Sequence, residues 1–184
     1  SHRVQVDIQI SGHEITSSDI SRALQKAQDF ALKPDTELIH TIPTRYAIDG
    51  HEGIRDPRGM YGQNLRVNTH LVTGASSALK NLSSCIERSY LDIHSICLSA
   101  YAAGLSSLVD DEMDLGATVI DMGGGVTSFA VFQGGALQYA DAVPVGGVHV
   151  TNDIARGLTT SFAAAERIKT LYGSAMATAS DDHE

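Results

Sequence analysis

Val119-Ile120-Asp121-Met122-Gly123-Gly124-Gly125-Val126-Thr127-Ser128-Phe129 is the stretch on which the fold turns. An apolar run ends in an acid, turns on three glycines and re-enters an apolar run, the pattern of two strands joined by a tight connection. Without a Cβ, such glycines let backbone N–H groups approach phosphate oxygens closely. The Thr127 hydroxyl can add a donor, and Asp121 can hold Mg²⁺ directly or through water. An ordinary glycine-rich hairpin that binds nothing has the same letters. The motif by itself leaves both readings open.

Downstream, Leu137 to Val145 supplies a third strand, and Val148 to Gly157 and Phe162 to Leu171 read as helices before a polar, acidic tail from Ala175 expected to be disordered. Upstream, Val4, Val6, Ile8 and Ile10 alternate with polar residues as in a strand with one wet face. Thr16 to Asp19 offers helix caps, and Ile20, Leu24, Ala27 and Ala31 recur at helical spacing up to Pro34. Glu37 to Ile48 is a second strand in which Pro43 predicts an edge position or an irregularity, and Leu65, Val67, Thr69 and Leu71 mark a third. Between these two, Asp49 to Asn64 is expected to be a projecting loop or a long irregular connection. The first 73 residues thus read strand, helix, strand, strand. Beyond Gly74, Leu79, Leu82, Ile86 and Tyr90 predict a helix, Ile93 to Leu98 a buried strand, and Tyr101 to Val109 a further helix; the acids of Asp110 to Asp114 read as a solvated connection.

Composition narrows the function classes. At 42% hydrophobic and 19% charged, 184 residues can bury a core as one or two globular units. Net charge is −9, with 8 Lys+Arg against 9 Asp+Glu up to residue 75 and 5 against 13 beyond it, so the chain lacks the basic face that nucleic-acid phosphates require. ATP stays compatible, because backbone N–H groups and a metal can carry the phosphates. No apolar run is long enough to cross a bilayer, and no signal segment opens the chain. Cys85 and Cys97 lack metal spacing and read as small apolar residues in buried segments. The eight histidines show no zinc-like spacing, and no nucleophile is framed by a nearby base, so no catalytic residue is assigned.

The Asp121-x-Gly-Gly-Gly-x-Thr127 segment resembles the second phosphate hairpin of the superfamily that holds actin, heat-shock chaperones and sugar kinases. Val143-Pro144-Val145-Gly146-Gly147 and His149-Val150-Thr151-Asn152-Asp153-Ile154-Ala155 narrow it, as do Asp49 to Ile54, Asp56 to Gly62 and His70 to Ala75. Together they resemble the FtsA family of bacterial cell-division proteins, from about Val4 to Gly173. The resemblance implies an α/β, partial actin-like (ribonuclease H-like) fold with an inserted strand-helix-strand-strand α+β domain, 1C. Residues 1–79 would be 1C, 80–115 the returning part of subdomain 1A, and 116–184 part of 2A.

By the same resemblance, Asp121 is the Mg²⁺-associated carboxylate; Gly123, Gly124, Gly125 and Thr127 cradle phosphate; and Glu166 and Lys169 contact adenosine. On spacing alone, the last two read as a solvated i,i+3 ion pair. Ser128 departs from the aspartate of many relatives, which puts efficient hydrolysis in doubt and leaves the protein at best a weak ATPase. The implied function is an ATP-binding divisome adaptor at the inner face of the plasma membrane, linking FtsZ to the membrane and recruiting later division proteins. Self-association and partner contacts would run through 1C. The FtsZ-binding domain and the terminal membrane helix of the family lie outside these residues, so the chain is expected to be an internal fragment that binds Mg-ATP weakly or not at all, and Ser1-His2 reads as an expression remnant. Missing neighbour strands would expose sheet edges, so dimers or swapped strands are expected. A chaperone-like or sugar-kinase-like phosphotransferase and a scaffold with a degenerate cleft are the alternatives. His51, Arg55 and Arg58 could contact a partner or simply be an exposed polar loop.

Overall fold

In the computed structural model, residues 1–31 and 33–176 are described; the tail expected to be disordered lies largely outside them. The alternation of Val4, Val6 and Ile8 produces strand β1 (His2–Gln9), which pairs antiparallel with β4 (Asn64–Ala75) in a register that sets Val6 opposite Val67. Helix α1 (Ser17–Ala31) opens on a ready-made anchor: the Asp19 carboxylate accepts the Thr16 N–H at 3.0 Å and its hydroxyl at 2.8 Å. Ala23 and Ala27 then let the helix sit close on Val6, Ile8, Leu65 and Val67, with Ile20 and Leu24 packed around them. Each fully buried Val, Ile or Leu side chain in this core contributes about 1.5–3 kcal/mol.

Strand β2 (Thr36–Ile48) lies between β4 and the short β3 (His51–Ile54), giving the order β1-β4-β2-β3. The ladder to β4 shifts between Pro43 and Arg45, and β3 meets β2 only around Tyr46 and Ile48, so Pro43 sits where its missing N–H costs no second ladder. The segment expected as one long loop is therefore partly a hairpin. Asp49 and Gly50, at φ 47° and 86°, form the left-handed pair that a two-residue turn requires.

Helix α2 (Ser76–Glu87) follows, with no buried residue, and ends before Tyr90. Residues 91–98 form no strand, against the expectation of a buried one: no strand among the described residues pairs with them, and the Leu98 N–H is tied instead to a side chain, His40 Nε2 at 3.0 Å. Cys85 and Cys97 are exposed, not buried, because the helix and the segment that carry them are solvated. The acidic run is a helix, α4 (Asp110–Leu115), after α3 (Ser99–Ser107); its acids occupy the first turn, where they favour the helix dipole, and Glu112 accepts the Val109 N–H at 3.0 Å.

Strands β5 (Ala117–Met122), β6 (Thr127–Gln133) and β7 (Ala136–Val143) form a second sheet in that order, Gly134 and Gly135 making the β6–β7 turn at φ 62° and 74°. Its core gathers Ala130, Phe132, Leu137 and Ala140 with Ala100 of α3. Among the described residues β5 pairs only with β6, and its Ile120 is exposed. Residues 1–121 and 129–141 make one compact unit; residues 122–128 and 142–184, with helices α5 (Gly147–Gly157) and α6 (Phe162–Tyr172), make the other. Among the described residues no helix is long and apolar enough to cross a membrane.

Candidate phosphate turn

The glycine turn closes on itself through the Gly123 N–H, which donates to Val126 O at 2.9 Å. A side chain at Gly123 would stand 2.9 Å from that same oxygen, so this glycine is demanded by the turn. Gly124 and Gly125 are different. Neither has a left-handed φ, and a Cβ at either would meet nothing within 4 Å. The chain's own packing does not require glycine at these two positions; the space they leave is open to a ligand. Among the described residues neither of their N–H groups has an acceptor.

Behind the turn stands the start of α5. Gly147 N–H donates to Gly123 O at 3.0 Å and Val148 N–H to Gly124 O at 2.8 Å. This approach is so close that a Cβ on Gly146 would lie 2.5 Å from Gly123 O and 2.6 Å from Gly124 O. His149 Nδ1 accepts the Gly146 N–H at 3.0 Å, which leaves the ring proton on Nε2. Thr127, expected as a ligand donor, spends its hydroxyl proton on Val145 O at 2.7 Å and so ties the strand after the turn to the segment before α5.

Glu166 and Lys169 meet at 2.8 Å, as an i,i+3 pair should, but they are not merely a solvated pair. Lys169 Nζ also reaches Thr151 Oγ1 at 2.8 Å and Gly147 O at 3.2 Å, and Thr151, fully buried, also bonds to Glu166 Oε2. The Lys169 ammonium, then the Thr151 hydroxyl, hold the Glu166 carboxyl below the usual carboxylate range. The unit therefore gathers the glycine turn, Thr127, Glu166 and Lys169. Asp121 is half-buried near the end of β5, one residue before Met122. Among the described residues no three His, Cys, Asp or Glu side chains cluster as a metal site. Of the loop residues, His51 lies in β3, Arg55 pairs with Asp114 at 3.0 Å, and Arg58 with Asp56 at 2.7 Å. Gly146, Gly147 and Thr151 were not assigned from sequence; the spacing of the Val145-Gly146-Gly147 step from the turn carries no signal until the backbone is folded.

Comparison with known proteins decides the family. Residues 1–73 match the SHS2 domain inserted in FtsA, and residues 118–184 match the cell division protein FtsA. The chain is 44% identical over 177 residues to the cell division protein FtsA of Agrobacterium fabrum and 35% identical over 169 residues to that of Escherichia coli K12. It belongs to the FtsA family. These alignments take in 96% and 92% of this FtsA-family chain, which spans about 40% of the length of the curated relatives it matches. The solved PilM-PilN type IV pilus biogenesis complex holds a chain that superposes with a TM-score of 0.58 at 18% identity, over 93% of this chain and 48% of that one. At the level of fold the chain is thus mixed α/β and actin-like, with the inserted SHS2 domain in residues 1–73.

Proposed function

We propose that these residues form part of an actin-like, nucleotide-binding adaptor of the bacterial division machinery. Its curated relatives are cell division proteins, and the observation that carries the nucleotide part is the open space at Gly124 and Gly125, whose lack of side chains nothing in the chain itself demands. Gly123, Gly124 and Gly125 would receive phosphate oxygens on backbone N–H groups, with Thr127 bracing the turn through Val145. Glu166 has a second oxygen for a ribose hydroxyl, with Lys169 beside it. Mg²⁺ keeps several waters and takes one or two carboxylates plus the phosphates themselves. Asp121 would supply one such carboxylate to a metal that arrives with ATP, and the metal would neutralise phosphate charge there.

Residues 1–79 would be the partner-binding domain, serving later division proteins and self-association, with residues 80–115 returning to the first lobe and 116–184 opening the second. FtsZ binding and attachment to the inner face of the plasma membrane would belong to the rest of the protein. Calorimetric titration of Mg-ATP into a version carrying the full FtsA length tests the site. Binding by the wild type that Asp121→Ala abolishes supports it. A wild type that binds nothing makes the cleft vestigial and moves the function onto residues 1–79.

A further inference from the structure

Hydrogen bonds through peptide groups run in series, because the C=O of one residue and the N–H of the next belong to one planar unit, and each bond polarises its neighbour. Two such series run through the start of α5. In the first, Lys169 Nζ donates to Gly147 O at 3.2 Å; the N–H of that same peptide, on Val148, donates to Gly124 O at 2.8 Å; and the N–H of the Gly124 peptide is that of Gly125. In the second, His149 N–H donates to Gly146 O at 3.0 Å, Gly147 N–H donates to Gly123 O at 3.0 Å, and that peptide ends in the N–H of Gly124. Both series end on the two adjacent amides that have no acceptor among the described residues and open space beside them.

The charge that starts the first series is fully committed. The three protons of Lys169 go to Gly147 O, Thr151 Oγ1 and Glu166 Oε2, so none is left for a ligand. Thr151 is within reach of Gly147 O at 3.0 Å and, more closely, of Glu166. Its one proton belongs on the carboxylate, the stronger acceptor, which leaves Gly147 O to Lys169. We infer that Lys169 and Thr151 are positioning residues that aim the Gly125 N–H at an oxyanion without touching it, while the α5 start aims the Gly124 N–H independently. The functional meaning of this relay rests on reading the turn as a phosphate site; the relay itself does not.

The test has two arms. In this chain, amide hydrogen exchange by NMR is compared for the wild type, Lys169→Met, Thr151→Val and Thr151→Ser. Val148 exchange rises about tenfold in the first two variants, the loss of one charge-assisted hydrogen bond; Gly147 changes far less, and Thr151→Ser restores the wild-type rate. Unchanged Val148 exchange, or an equal rise across α5 and α6, overturns the relay. In the full-length version, tripolyphosphate and adenosine are titrated separately. Lys169→Met weakens tripolyphosphate; a variant that keeps wild-type tripolyphosphate affinity while losing adenosine makes Lys169 a nucleoside contact and overturns the inference. A wild type that binds no tripolyphosphate overturns the phosphate reading alone, and the exchange arm still decides the relay.

Discussion

Gly146 and Gly123 touch through backbone alone: a methyl group on Gly146 would stand 2.5 Å from the Gly123 carbonyl oxygen. Neither partner can yield, since Gly123 O is already held by Gly147 N–H at 3.0 Å and the obstacle is main chain, not the end of a flexible side chain. Gly146→Ala therefore forces the start of α5 away from the turn and costs about 1–3 kcal/mol, as overpacking does. Urea unfolding of the variant should show that loss, with the helix content by circular dichroism retained.

Gly124→Ala and Gly125→Ala should behave in the opposite way. Neither position has a left-handed φ and both have empty surroundings, so a methyl group reduces the freedom of the unfolded chain without a clash, and stability changes by less than about 1 kcal/mol on the favourable side. A ligand oxyanion would need that same space. The expected pairing is an unchanged or raised unfolding midpoint with Mg-ATP affinity lost in the full-length version. Variants that unfold normally and bind as well as wild type would show that the turn is an ordinary hairpin.

What could be read from sequence follows from where the signal is local. Alternation exposed β1 and β4, helical spacing exposed α1, and Pro43 foretold the ladder shift, since each depends on neighbouring residues alone. β3 escaped because His51-Glu52-Gly53-Ile54 has no alternation and gains its pairing from Tyr46 and Ile48. Ile93 to Leu98 was misread because apolar letters report burial only when a partner sheet exists, and Cys85 and Cys97 followed the same error. The glycine turn was legible as a motif. The relay behind it was not, because Gly146 and Gly147 act through main-chain contacts with residues over twenty positions away, and Thr151 through side-chain bonds to Glu166 and Lys169 on the next helix. The bond from the Thr127 hydroxyl to Val145 O, eighteen residues on, is hidden from the sequence for a similar reason.

Gly104 in α3 offers a test of the first unit. Alanine in a helix interior ordinarily gains about 1 kcal/mol over glycine. Here the added methyl would lie 2.3 Å and 2.4 Å from two ring carbons of Phe132, a side chain 1% exposed and stacked on Tyr101 with centroids 6.0 Å apart. A ring this buried and stacked on Tyr101 has little room to move away, so repulsion exceeds the propensity gain and Gly104→Ala destabilises by about 1–2 kcal/mol. Gly104→Ala combined with Phe132→Leu should recover part of that loss, which a chemical-denaturation double-mutant cycle would measure.

His70 makes stability depend on pH. It is 1% exposed in β4, opposite Arg3 of β1 and Ile42 of β2, and neither ring nitrogen has a partner among the described residues. Burial first, then the positive charges of the terminal amine, Arg3 and His2, push its pKa from 6.5 to about 4. The folded chain therefore keeps the ring neutral where the unfolded chain protonates it. The unfolded state binds more protons between these two values, so stability is full above pH 6.5 and falls as pH drops towards 4, by roughly 3 kcal/mol in all. A second loss begins lower. Asp19, held below its ordinary 3.8 first by the Thr16 N–H and then by the Thr16 hydroxyl, stabilises the fold above that value and ceases to as pH falls through its own lower pKa. Unfolding free energies measured by urea from pH 8 to pH 3 should show the two phases, and His70→Leu should flatten only the upper one. A wild-type curve that is level between pH 7 and pH 4.5 would mean that His70 finds a proton acceptor or water on folding, and the packing assigned to it would be wrong.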